Sequence, residues 1–171
     1  MREVEVDVYE SGEIKKLIAS LTNDEPSEAA TSARSLGKAC VVEAVPELRR
    51  VLVSTSSFRL RNACAIALSD LADEGCVPII AALLEDPATA GQRGSLLYAL
   101  EPFDCRSLFP LLVEIAAFDG FEARHTAFDL LCAVEGDVDP GVVKDAMKVA
   151  QSALETATDE RRNSNLDLVE L

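Results

Sequence analysis

His125 is the sole histidine of the chain, and it stands between Arg124 and Thr126. One histidine excludes a His-rich metal site and leaves one conceivable acid–base side chain, with no Ser or Cys nucleophile set beside it by the periodicity of the chain. The expectation is a surface or interhelical histidine. Glu135-Gly136-Asp137-Val138-Asp139-Pro140-Gly141 has the look of a calcium loop. However, Pro140, the missing third acidic position and the missing terminal Glu break that pattern. Gly91-Gln92-Arg93-Gly94 lacks both the spacing and the preceding strand of a dinucleotide fingerprint, and no phosphate-cradling G-x-x-x-x-G-K-[ST] run occurs. Cys40, Cys64, Cys76, Cys105 and Cys132 are an odd number with no C-x-x-C pair, which indicates neither a disulfide framework nor a zinc site. Most lie among Ala, Val, Ile and Leu, where a free thiol acts as a small core hydrophobe. These residues predict a protein that is not an enzyme, with no catalytic residue, no metal and no cofactor.

The elements that must carry these residues are helices. In 171 residues, 49% are hydrophobic and only 5% aromatic, with no Trp, so the core must be built from Ala, Leu, Val and Ile. Thirty Asp and Glu against sixteen Lys and Arg give a net charge of -14, which argues against a nucleic-acid partner. The longest run without a charge, Gly75 to Leu84, is ten residues, about half of a membrane span. Together with an N-terminus too acidic for a transit peptide and lacking an apolar signal core, this predicts a soluble protein of a reducing cytoplasm.

Pro46, Pro78 and Pro110 recur at spacings of 32 and 32, each opening an apolar stretch. A proline in the first turn of a helix costs little, because amides there have no intrahelical partner. Leu36, Leu68, Leu100 and Leu131 keep the same beat. So do Leu17, Leu48, Ile80, Leu112 and Val143, and a column of Leu21, Leu52, Leu84, Ala116 and Met147 lies four residues further on, on the same helical face. A period of 31 to 32 residues with two helices per unit predicts a solenoid. The predicted helices run over about 11–22, then in pairs over 27–38 with 44–53, 57–71 with 75–84, 88–100 with 107–118, and 122–134 with 140–155. Asp86-Pro87 and Asp139-Pro140 are read as an N-cap followed by Pro at the first helical position.

At this point the chain resembles the HEAT repeats. Leu83-Leu84-Glu85-Asp86-Pro87, then Arg93 and Leu100, then Phe109-Pro110-Leu111-Leu112 follow that family's order of Asp-Pro turn, Arg in the first helix and apolar second helix. Arg61, Arg93 and Arg124, spaced 32 and 31, resemble its arginine ladder, with Asp86 and Asp119 as candidate partners. The match covers about residues 14–155 and departs where Ala29 takes the arginine register and where Ser54-Thr55-Ser56-Ser57 has no Asp. The resemblance implies an all-α fold: a right-handed α-solenoid of about four helix pairs. It would form one domain over 1–171, with repeats over about 11–155 and capping segments at 1–10 and 156–171. Glu3 to Tyr9 alternates polar and apolar residues, as a cap or a strand offered to a partner would.

Two surface features bear on function. The helices holding Cys76–Leu84 and Leu108–Phe118 are apolar almost all round, whereas a helix packed on one side needs only a stripe of about 100°. Ile79, Leu83, Phe109 and Val113 are therefore candidates for an apolar partner-binding face, since second helices line the concave side in the family resembled. Asp70, Asp73, Glu74, Glu101, Asp104, Glu135, Asp137 and Asp139 all fall in turns between first and second helices and would form an acidic edge suited to a basic protein partner. The predicted function is protein binding by a small acidic inhibitor or immunity-type protein that occludes a basic protein. An adaptor joining proteins is the alternative, and a bilin-lyase-like HEAT enzyme is the third.

Overall fold

In the computed structural model, which describes residues 10–23, 25–156 and 168–169, the helices follow the 32-residue beat. They are α1 (Ser11–Ser20), α2 (Pro26–Lys38), α3 (Val45–Ser54), α4 (Phe58–Asp70), α5 (Val77–Glu85), α6 (Gly94–Tyr98), α7 (Phe109–Phe118), α8 (Phe121–Cys132) and α9 (Pro140–Thr156). No strand occurs among the described residues. Three second helices, α3, α5 and α7, are each entered through a 3₁₀ turn, at Val42–Ala44, Glu74–Cys76 and Arg106–Leu108, with the proline second in each helix. The chain divides into two compact units, Met1–Ile80 and Ala81–Leu171.

In the first unit α1 packs on α2, and α4 packs on both α2 and α3. Small residues make the α2–α4 approach close. A Cβ on Gly37 would stand 2.7 Å from the Ala67 Cα, so only glycine fits there. Ala29, Ala33, Leu36, Leu48, Leu52, Ala63 and Leu68 are buried in the same unit. Ser57 caps α4 by accepting from the Leu60 amide. Both α2 and α4 end in Schellman motifs: Val41 N–H donates to the Leu36 carbonyl and Cys40 N–H to Gly37, while Asp73 N–H donates to Leu68 and Ala72 N–H to Ser69. The left-handed residue in each motif is not glycine, Cys40 having φ 53° and Ala72 φ 51°. In this unit Asp73 also receives the Arg49 guanidinium through two hydrogen bonds.

In the second unit α7 packs on α8 and α9, and α6 on α8. Leu96, Leu97, Leu100, Leu112, Ile115, Leu130 and Leu131 are buried there. The predicted helix over 88–100 is corrected. Asp86 does cap a turn, accepting from the Ala88 amide at 2.8 Å, but Pro87–Thr89 is a single 3₁₀ turn, and the α-helix begins only at Gly94. Ala90 leaves the helical region with ψ 132°, and Gly91 follows with φ 76°, a left-handed backbone that ends any helix begun at Pro87. Arg93 then bridges the gap, donating to Asp119 Oδ2 at 2.7 Å and to Thr89 Oγ1 at 3.3 Å. The ladder arginine thus reaches the aspartate of the turn that follows α7. Arg124 is buried and donates to the Ala116 carbonyl at 3.3 Å. Asp139 caps α9, accepting from the Gly141 and Val142 amides at 2.8 and 3.2 Å, as its sequence predicts.

The leucine columns are core along most of their length. Leu36, Leu68, Leu100 and Leu131 are all buried, and so are Leu21, Leu52, Leu84 and Ala116. That second column fails at its last member, since Met147 is 44% exposed. The alternating segment over 3–9 lies outside the described residues.

Candidate partner-binding faces of the second unit

The second helices of the second unit enclose a cleft of about 530 Å³. Its floor is apolar, from Leu108, Leu111, Val142 and Val149, and its rim carries Glu85, Glu114 and Asp145. Helical spacing explains why these side chains meet. Leu111 and Glu114 are three apart on α7, and Val142, Asp145 and Val149 are three and four apart on α9. The repeat period explains the pairing across helices, because Leu111 to Val142 and Glu114 to Asp145 are both 31 residues. Glu85 and Glu114 are exposed, while Asp145 accepts from Lys148 at 2.7 Å on its own helix. None of the three acids belongs to the edge that the turns predict. The 31-residue repeat held the signal for them, on the helices.

The four predicted apolar residues do not form one open face. Ile79 and Leu83 are half-buried, and the Leu83 carbonyl accepts from the Thr89 hydroxyl at 2.7 Å. Val113 is a correction: it is 4% exposed, because α7 is clasped by both α8 and α9 and the apolar side that a one-sided helix would leave open is turned into that contact. Phe109 is half-buried. It lines, with Val113, a second cleft of about 510 Å³ between α7, α8 and α9, which Leu168 and Val169 help to wall.

The predicted acidic residues differ in how free their carboxylates are. Asp73 is half-buried and neutralised by Arg49, so within the first unit Asp70 and Glu74 are the exposed members. Asp70 lies against Gly37, and its carboxyl is pushed above the ordinary range by burial, with nearby Lys38 acting in the opposite sense. In the second unit Glu101, Asp104 and Glu135 do come together, around a cleft of about 670 Å³ that also holds Arg106. Asp104 accepts from both the backbone and the guanidinium of Arg106, which holds its carboxyl below the ordinary range. Asp137 is exposed, and Asp139 is engaged by the start of α9. Two of these five carboxylates are thus already occupied by this chain.

His125 is exposed, stacked on Phe121 with ring centroids 6.3 Å apart and 3.7 Å from Asp129. Phe121, at the start of α8, is 85% exposed. Cys64, Cys76 and Cys105 are buried, and Cys40 and Cys132 are exposed. Burial pushes the Cys64 thiol up to about 12 and Cys76 to about 11, and raises Cys105, so these three are poor nucleophiles. Among the described residues no group of three or more His, Cys, Asp and Glu side chains is placed to hold a metal ion, and no helix is long and apolar enough to cross a membrane.

A family model described as HEAT repeats matches residues 14–101, just over half of the chain. The chain belongs to the HEAT-repeat family. No curated protein matches it. As a HEAT protein it is an all-α, protein-interaction repeat module. In HEAT terms α2, α4, α6 and α8 are first helices and α3, α5, α7 and α9 second helices. The acid-rimmed cleft therefore lies on a second-helix face.

Proposed function

We propose that this HEAT protein is a non-catalytic, acidic inhibitor of the immunity type, which occludes a basic protein with the second-helix face of its second unit. The observation that carries this reading is the pairing of an apolar floor (Leu108, Leu111, Val142, Val149) with carboxylates at the rim (Glu85, Glu114). An apolar centre excludes water and supplies affinity, while a charged rim steers an oppositely charged partner and sets the on-rate. The unit's charge adds to it: residues 81–171 hold seventeen Asp and Glu against seven Lys and Arg. Five free thiols suit the reducing cytoplasm in which such a protein would act.

The test is capture from a lysate of the source cells, followed by association kinetics with the captured protein. The chain should retain one basic protein at one-to-one stoichiometry. Changing Glu85 and Glu114 together to Lys should slow association about tenfold or more at low salt and less at high salt. A parallel variant with Glu101, Glu135 and Asp137 changed to Lys measures the turn edge on the same partner. Unchanged association in the first variant with loss in the second would move the contact to the turns. A partner that is acidic or neutral, or association indifferent to both variants, would overturn the reading.

A further inference from the structure

The acid-rimmed cleft adjoins another of about 510 Å³ in the same unit, lined by Arg93, Phe118 and Asp119, and Glu85, Leu111 and Glu114 line both. Helical spacing joins the two. Leu111, Glu114, Ile115 and Phe118 stand at i, i+3, i+4 and i+7 on α7, a single stripe two turns or about 10 Å long. The apolar floor with Val142 and Val149 lies at one end of this stripe, and Phe118, 49% exposed, lies at the other. The carboxylates of Glu85 and Glu114 stand where the two clefts meet. Among the described residues no cation of the chain pairs with either of them. Arg93, the one cation among the described residues that line the two clefts, is committed to Asp119 at 2.7 Å.

We infer that the two clefts form one groove along α7, and that it takes a short segment of a partner protein in which a Lys or Arg stands between two large apolar residues. The cation meets Glu85 and Glu114, and one apolar side chain enters each cleft. An all-apolar segment would bury the two carboxylates without a counter-charge, and a purely basic one would leave Phe118 and the floor around Val149 in water. A segment that carries both satisfies the whole stripe, with apolar anchors excluding water around the central charge. The inference rests on the acidic-inhibitor reading above and adds to it what the partner must present, and to which residues.

The probe is a phage-displayed library of random twelve-residue peptides selected on the full chain, with the enriched peptides then synthesised and titrated by fluorescence polarisation. Enriched peptides should carry a Lys or Arg with a large apolar residue on each side. Reversing Glu85 and Glu114 together to Lys should weaken their binding about tenfold or more. Phe118→Ser and Val149→Ser, one at each end of the groove, should each weaken it about fivefold or more. Met147→Ser, exposed on α9 but outside both clefts, should leave it unchanged. Circular dichroism checks that each variant is folded, and Phe118→Ser, at an exposed position, decides the matter if Val149→Ser disturbs the fold. Binding that falls on charge reversal but ignores Phe118→Ser would overturn the two-cleft groove and leave the acidic-inhibitor reading standing. Absence of enrichment, enriched peptides without a basic residue, or binding indifferent to charge reversal would overturn both.

Discussion

The two units of this HEAT protein share a 32-residue repeat and differ in what that repeat builds. In the first, residues 1–80 hold nine Lys and Arg against thirteen Asp and Glu, a net charge of -4, and the first helices α2 and α4 are each thirteen residues long. Gly37 and Ala67 bring α2 and α4 into near-contact, and both helices end in Schellman turns. In the second, net charge reaches -10, the first helix α6 has five residues, and clefts open beside α7 and α9. A repeat's period thus fixes where helices start, while the residues inside the period decide how long each helix runs and what it leaves beside it. Gly91 and the unwound stretch around it shorten α6, and Arg93 with Asp119 holds the altered turn in place.

Core truncation should have the largest effect on both units. Leu68→Ala in the first and Leu100→Ala in the second remove fully buried side chains and should each cost about 2–5 kcal/mol, measured by chemical denaturation followed by circular dichroism. Leu68→Ala should sit nearer the top of that range, because close helix packing leaves a cavity that cannot collapse. Half-buried Phe109→Ser should cost less than Leu100→Ala. Equal losses at Phe109 and Leu100 would mean that the second unit is as tightly filled as the first.

Gly37→Ala tests the frame more narrowly. The added methyl meets the backbone of α4, so overpacking should outweigh the gain in helix propensity and cost about 1–3 kcal/mol. A neutral result would show that α2 and α4 can move apart to admit the methyl.

Much of this architecture is legible in the sequence, and the gaps have physical causes. The second helices are visible because proline marks their start and apolar residues run through them. The 3₁₀ turns that precede α3, α5 and α7 are not, since Val42–Ala44, Glu74–Cys76 and Arg106–Leu108 have no composition in common. The ends of α2 and α4 are hidden for a different reason: the usual signal is glycine in the left-handed position, and here Cys40 and Ala72 occupy it. The acidic turn residues were visible as charges, but whether Asp73 or Asp104 is free depends on Arg49 and Arg106, which lie 24 and 2 residues away. Glu85, Glu114 and Asp145 escape a reading that looks for acids in turns.

Smaller effects are expected at the turns of the first unit. Ala72→Gly should stabilise the first unit by about 0.5–1 kcal/mol, since glycine takes a positive φ without the steric cost that a Cβ imposes. A loss on calorimetry would mean that the Ala72 methyl makes contacts worth more than the strain. Asp70 gives the smallest effect and a pH signature. Its folded pKa is raised, so the folded chain holds this proton more readily than the unfolded chain. The contribution of Asp70 to stability is therefore fully present below the unfolded value of 3.8 and is lost as pH rises through the folded pKa. Asp70→Asn should gain up to about 0.5 kcal/mol at neutral pH, and that gain should vanish below pH 3.8. A gain that persists in acid would assign it to something other than the carboxylate.

Ala146 lines both clefts of α9, the acid-rimmed one and the one that holds Leu168. The two clefts are therefore neighbours across α9. Any rotation or tilt of α9 that widens one side acts on the other. By reciprocity, whatever factor a ligand in one cleft applied to affinity in the other, a ligand in the second would apply to the first. Enlarging the one-methyl side chain at position 146 would fill space on both sides at once, so its effects on the two clefts should be correlated rather than independent.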